Sequence, residues 1–265
     1  MSDIKEKKLD SSLIDLLDFQ VEKINQPGFI KEDPIQFPRR FSDLRDIEIV
    51  SLLVSMIAWG NRKMICRDSE RLLELMNNEP FLYMKNNEFE KLENERNIHR
   101  TFFAAHLKYF LRGIKFIYAR FPSLDAFATS IGADKEIAPA WKIAAEIQKC
   151  LSDANSGAKC PQCFPSNFQT TALKRFNMAL RWLVRDDGIV DMGVWKCIDK
   201  SQLYIPLDVH VGNISRGLGI LERKSNDRKA VDELTAVLRS LDKSDPVKYD
   251  FALFGMGIES KKVKD

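Results

Sequence analysis

Apolar residues recur at intervals of three and four along most of this chain, and that spacing constrains the fold more than any other feature. Ala230, Val231, Leu234, Val237, Leu238 and Leu241 form one such stripe, with polar residues on the reverse face. Runs rich in β-branched residues with strict alternation are hard to find. The pattern predicts an all-α chain with helices at about residues 10–25, 46–60, 65–77, 101–120, 137–151, 172–185, 208–218, 228–241 and 246–256. Asp245-Pro246 reads as an N-cap followed by proline at the first helical position. Either Asp43 or Asp46 can cap the helix running into Val50-Ser-Leu-Leu-Val54.

At 265 residues with 45% apolar side chains the chain can bury a substantial core. The longest apolar run, Ile47 to Trp59, is broken by Glu48 and Ser51. It falls short of the ~20 residues a membrane span needs, so no membrane partner is expected. The first ten residues are mixed in charge and lack the apolar stretch of a secretory signal. The five cysteines, at 66, 150, 160, 163 and 197, do not suggest a secreted disulfide framework. Together these point to a cytoplasmic protein with reduced thiols. Connecting segments are short except for Gln26 to Arg45 and Ser152 to Thr170, both proline-containing. The second reads as a hinge. The expected organisation is one two-lobed helical domain, with residues of about 46–151 in one lobe and about 1–45 plus 152–265 in the other.

The net charge of +3 is too small to announce a nucleic-acid binder, but its distribution is uneven. The first 160 residues carry 24 basic and 24 acidic side chains, and the remainder 17 basic and 14 acidic. Within that remainder, Thr171 to Arg185 contains Lys174, Arg175, Arg181 and Arg185 and no acid. On a helical wheel Arg181 and Arg185 fall within about 20° of Lys174, while Phe176, Ala179, Leu180, Leu183 and Val184 occupy the opposite arc. The stripe is either a solvated face or a seat for phosphate. Further on, Asp208 follows Pro206-Leu207 and precedes apolar residues at 211, 214 and 218, which places it at a helix start. It is a capping side chain, a catalytic carboxylate, or both, because a carboxylate held by backbone amides stays ionised and fixed in direction.

The stretch Pro206-Leu-Asp208-Val-His210-Val-Gly-Asn-Ile-Ser-Arg216-Gly-Leu-Gly219 resembles the segment of helix-hairpin-helix DNA glycosylases and their endonuclease III relatives that carries the catalytic aspartate. Over about 220 residues the chain more closely resembles a bacterial family carried as a domain of unknown function and distantly related to those glycosylases. The residues that carry this resemblance run from Asp33-Pro34 through Lys174-Arg-Phe-Asn-Met-Ala-Leu-Arg-Trp-Leu-Val-Arg185 to Asp245-Pro-Val-Lys-Tyr-Asp-Phe-Ala-Leu-Phe-Gly-Met-Gly-Ile258. It implies a two-lobed all-α fold of the glycosylase type with a DNA cleft between lobes. It also implies a catalytic lysine upstream of the aspartate at a helix head. Lys174, 34 residues before Asp208, fits. The partner so implied is double-stranded DNA with a damaged or flipped base, in a nucleoid-associated setting, with no cofactor and no protein partner. Lys174 and Asp208 become the catalytic candidates, and Arg175, Arg181, Arg185, Asn61 and His210 the DNA-binding ones. Asn61 is the polar residue expected to enter the helix or touch the flipped base, while His210 is a packing residue or a phosphate contact. Trp59 is either a stacking platform or a core side chain.

The chain departs from that pattern in two places. No glycine occurs between Gly157 and Gly188, so the glycine-rich hairpin expected just before the lysine is missing. Ser166, Asn167, Thr170 and Thr171 offer hydroxyls and amides as a substitute. The four-cysteine cluster that holds an iron–sulfur centre in many glycosylase relatives is also lacking. Cys160-Pro-Gln-Cys163 has neither a second such pair nor a nearby histidine, so a loop thiol pair is expected rather than a metal site. His99 and His106, spaced around Phe102, Phe103 and Phe110, read as packed or surface histidines. Two functions remain: a base-excision glycosylase, with abasic-site lyase activity through a lysine Schiff base, and a non-catalytic protein of the same fold that recognises lesions or DNA structure.

Overall fold

Short polar side chains set most of the helix starts. In a computed structural model, which describes residues 10–165 and 167–262, Asp10, Asp43, Asn61, Ser123, Asp208 and Asp227 each accept a hydrogen bond from a backbone N–H of the following turn. They open α1 (Ser11–Ile24), α3 (Leu44–Ile57), α4 (Arg62–Leu75), α7 (Leu124–Ser130), α10 (Val209–Gly217) and α11 (Arg228–Leu241). The others are α2 (Pro27–Ile30), α5 (Pro80–Lys85), α6 (Ala104–Tyr118), α8 (Pro139–Asp153), α9 (Lys174–Val184) and α12 (Tyr249–Lys262). Among the described residues the fold is all-α, save one two-stranded antiparallel hairpin of β1 (Asn97–His99) and β2 (Phe102–Phe103).

Every helix expected from periodicity forms. The elements not expected, α2, α5, α7 and the hairpin, are too short to show a period. Asp43, not Asp46, caps α3; Asp46 instead accepts from the Phe81 amide at 2.7 Å and ties down the start of α5. Asp245 makes no side-chain cap at all. Its carboxylate is taken by Arg185 at 2.9 Å, and a short 3₁₀ turn at Pro246–Lys248 leads into α12 instead.

The core is one continuous cluster running from Leu17 to Leu253. Its centre is α3, buried from Ile47 to Ile57 and packed against α4, α5 and α9. Around it α6 packs on α8, while α1 and α10 pack on α12. Glu48, fully buried in α3, accepts from Tyr118 Oη at 2.6 Å, Leu124 N at 2.8 Å, Asp125 N at 3.0 Å and Trp195 Nε1 at 2.8 Å. Burial pushes its carboxyl up and those four donors pull it back. One buried acid thus ties α3 to α6, α7 and the chain after α9. The segment expected as a hinge is pinned. Cys160, Cys163 and Phe164 are buried, Tyr109 Oη donates to the Ala158 carbonyl at 2.9 Å, and Gln148 donates to the Pro165 carbonyl at 3.0 Å. Ser166 lies outside the described residues. No described helix is long and apolar enough to cross a membrane.

Candidate functional site

The head of α9 is set by an unusual turn. Leu173 adopts φ +49, a left-handed conformation that an L side chain rarely takes, immediately before the helix. Three bonds hold it: Trp141 Nε1 donates to the Thr171 carbonyl at 3.1 Å, Leu173 N to Thr171 Oγ1 at 3.3 Å, and Asn177 Nδ2 to the Ala172 carbonyl at 3.1 Å. A leucine locked by its neighbours therefore makes the turn where the resemblance implies glycine. It leaves Lys174 as the first residue of α9, partly exposed, and among the described residues its ammonium has no ion pair or hydrogen bond. A cation at a helix N-terminus opposes the helix dipole by roughly 0.3–1 kcal/mol, so the stability of α9 itself does not ask for lysine there.

Asp208 stands at the head of α10. Its Oδ1 accepts from His210 N at 2.8 Å and Val211 N at 2.9 Å, the cap expected from sequence. Lys174 and Asp208 both line a cleft of about 790 Å³, together with Trp59, Arg62, Arg175 and His210. Beneath it a smaller pocket of about 60 Å³ is again lined by Lys174 and Asp208, with Asp33, Arg181 and Asp250. Burial pushes the Asp250 carboxyl up to about 6, with Arg181 opposing the shift and the charge of Asp208 adding to it. Asp33 is raised likewise by burial, and Arg62, 3.3 Å away, opposes it. The lysine and the aspartate thus line two adjoining cavities with Asp33, Asp250 and Arg181, and the charge of Lys174 also acts on both acids.

The other expected contacts separate. Arg181 and Arg185 do not form an exposed cationic face. Both are buried, at 4% and 3% exposure, because the segment just after α9 and the start of the last helix bring carboxylates to them. Arg181 bonds Asp191 at 3.2 Å and also Asp250; Arg185 bonds Asp191 at 3.0 Å, Asp245 at 2.9 Å, and Asp187. Phe251 lies under both guanidiniums. Arg175 is turned inward, donating to the Met56 carbonyl at 2.6 Å, and burial lowers its pKa. Asn61 spends its side-chain oxygen as the cap of α4, accepting from Lys63 N at 2.9 Å and Met64 N at 3.4 Å. His210 is exposed on the cleft wall. Trp59 is half-buried, edge-on to His99 and covered on one face by Arg100.

Sequence reasoning missed Asp33, Asp250 and Arg62. Asp33 precedes a proline and caps its own turn through Ile35 N, and Asp250 sits in an apolar helix, so neither has a local signal beyond a carboxylate among hydrophobes. Cys160 and Cys163 are both buried free thiols; Cys160 Sγ donates to Gln162 Oε1 at 3.7 Å and Cys163 Sγ to the His106 carbonyl at 3.5 Å. The neighbouring Cys163 side chain draws Cys160 down to about 7, while burial drives Cys163 well up. Among the described residues no group of three or more His, Cys, Asp or Glu is placed to hold a metal.

Fold and cleft together define a helical protein in which a lysine at one helix head and a backbone-anchored aspartate at another line the same cleft. A family model, protein of unknown function (DUF2400), matches residues 33–259, and the chain belongs to that family. No curated protein and no solved structure matches it.

Proposed function

We propose that the chain is a DNA glycosylase with abasic-site lyase chemistry, acting on duplex DNA from which a damaged base has been turned out. The observation that carries this reading is the presence in one cleft of an amine that, among the described residues, makes no hydrogen bond or ion pair, and a carboxylate fixed by two amides. The resemblance of the Pro206–Gly219 stretch to helix-hairpin-helix glycosylases supports it. In this reading the cleft separates a lobe of about residues 46–151 from one built by the remainder.

The chemistry follows from the two groups. The Lys174 amine, as free base, attacks the sugar C1′. The C1′–N bond breaks, and its electron pair leaves with the base, which takes up a proton. Positive charge builds on the sugar, and the Asp208 carboxylate, held in one direction, stabilises it. The nitrogen, now bonded to C1′, gives up one proton; the C1′–O4′ bond then breaks, O4′ takes up a proton, and a protonated Schiff base remains between C1′ and Lys174. Loss of a C2′ proton then expels the 3′ phosphate, and water releases the lysine. Extrusion of the base costs a few kcal/mol, least for a damaged or mismatched one.

Borohydride trapping on duplexes carrying an abasic site, uracil, 8-oxoguanine or an alkylated base tests this. The expected result is a covalent adduct that Lys174→Gln abolishes, with duplex affinity kept within a few-fold. If nothing is trapped while lesion-containing duplex is bound with steep salt dependence, the lyase step is wrong and a monofunctional glycosylase or lesion-recognition protein takes its place. Absence of both trapping and binding overturns the DNA reading.

A further inference from the structure

Beside the cleft, the β1–β2 hairpin and the outer face of α4 carry cations that the proposed reaction does not use. Arg100, at the hairpin tip, has φ +51, a strained conformation for a residue with a Cβ. Its carbonyl is clamped by Asn97 Nδ2 at 2.6 Å, and its guanidinium lies 4.3 Å from the Trp59 ring centroid. Gly60 makes this approach possible: with φ +104, it sits where a Cβ would lie 2.5 Å from Arg100 Nη1. Under the tip, fully buried His99 bonds Asp68 Oδ2 through Nδ1 at 2.7 Å and the Trp59 carbonyl through Nε2 at 3.0 Å. A strained residue, a glycine contact and a buried histidine all converge on holding one guanidinium over one indole.

That guanidinium is exposed, and among the described residues it makes no hydrogen bond and no ion pair. Stacking on an aromatic face occupies the flat side of a guanidinium and leaves its edge of N–H donors free, the edge that matches a phosphate. Lys63 and Arg96 are also exposed and unpaired among the described residues. Next to them a groove of about 520 Å³ is lined by Arg67, Arg71 and Arg96, with Asp68 and Glu74 as its acids. Asp68 is buried and already shared by His99, Arg67 and Arg71. Trp59, the ring beneath Arg100, is itself a wall of the Lys174–Asp208 cleft.

We propose that Arg100, held over Trp59 by the hairpin, is a phosphodiester contact for duplex DNA lying across the cleft, and that the adjoining α4 face extends this track. The inference rests on the DNA reading of the Lys174–Asp208 site. It moves the phosphate seat from Arg181 and Arg185, which are buried, to the Trp59 side of the cleft.

The test is fluorescence-anisotropy binding of unmodified duplex and duplex with an abasic analogue across a salt series. It compares wild type, Arg100→Asn, Arg100→Lys and Lys174→Gln, each also melted and tested by trapping. Asparagine tolerates the left-handed conformation, so Arg100→Asn should melt no lower than wild type. It should nevertheless bind both duplexes roughly 3–10-fold more weakly and reduce the slope of log affinity against log salt by about 0.9, one phosphate contact. Arg100→Lys should restore the slope. Wild-type binding with an unchanged slope in Arg100→Asn overturns the Arg100 contact alone. Binding that responds to Arg100 without any trapped adduct leaves the contact standing and overturns the lyase. A wild-type protein that binds neither duplex overturns both.

Discussion

Helices α4 and α9 each open on a cation and carry a row of them, yet the two rows do opposite work. On α9, Arg181 and Arg185 lie inside the protein among Asp187, Asp191, Asp245 and Asp250. On α4, Lys63, Arg67 and Arg71 face solvent. The difference lies in what the rest of the chain brings to each helix. Segments after α9 fold back over its polar side and supply carboxylates, whereas Lys63, Arg67 and Arg71 stay exposed, with Asp68 shared by the two arginines. A row of like charges within one helix therefore says little about solvent until the other elements packed on it are known.

The sharpest way to break this contrast is to remove Asp191, which is fully buried and shared by Arg181 and Arg185. Asp191→Ala leaves two buried guanidiniums short of a partner, and a broken buried pair costs about 3–5 kcal/mol. Thermal melting should fall by roughly 10 °C or more for a chain of this size. A melt within two or three degrees of wild type would mean that water reaches the network and that α9 is less enclosed than its contacts imply.

The next effect is on pH. Asp250, raised to about 6 by burial, binds its proton more tightly folded than unfolded, where an aspartate titrates near 4. Its contribution to stability therefore declines as pH rises from about 4 to about 6 and stays flat above. Asp250→Asn should remove that decline, about 3 kcal/mol across the window, as read from melting curves at stepped pH. Substitutions on the α4 face should leave the profile unchanged.

Much of this fold was legible in the sequence, and the reason is length. Helices such as α11 span several turns and so display their period, while α2, α5, α7 and the hairpin are too short to do so. Asp208 was legible as a helix head because capping is local chemistry, and Lys174 because it leads a run free of acids. The roles of Arg181 and Arg185 were not. Their partners lie up to 69 residues away, and no spacing rule connects Arg181 to Asp250. The hairpin that holds Arg100 was hidden for a related reason: its tip, with Arg100 at φ +51, lies against Trp59 and Gly60, about forty residues earlier. Local signals reported where helices begin, and distant ones decided which charges they expose.

A smaller effect separates structure from chemistry at Asp208. Asp208→Ala removes a cap whose two backbone bonds should be worth about 1 kcal/mol, a few degrees of melting. Asp208→Asn keeps an oxygen that can accept the same bonds, so its melt should stay nearer wild type while the carboxylate charge is gone. If adduct formation falls in both variants by a similar factor, the charge matters beyond the cap. If it falls only in Asp208→Ala, Asp208 does no more than hold the helix.

The smallest expected effect sharpens the contrast from the other side. Lys63 is exposed, and the Arg71 side chain is 68% exposed with its nearest carboxylate 3.8 Å away. Surface pairs of that kind contribute little, and Lys63→Ala with Arg71→Ala should change stability by no more than about 0.5 kcal/mol. The same double variant should reduce the salt dependence of duplex binding if the α4 face follows the phosphate backbone. Stability unchanged with binding weakened is the reverse of what Asp191→Ala should show. If the double variant instead destabilises as strongly as Asp191→Ala, the α4 cations are structural and the division between an inward and an outward row collapses.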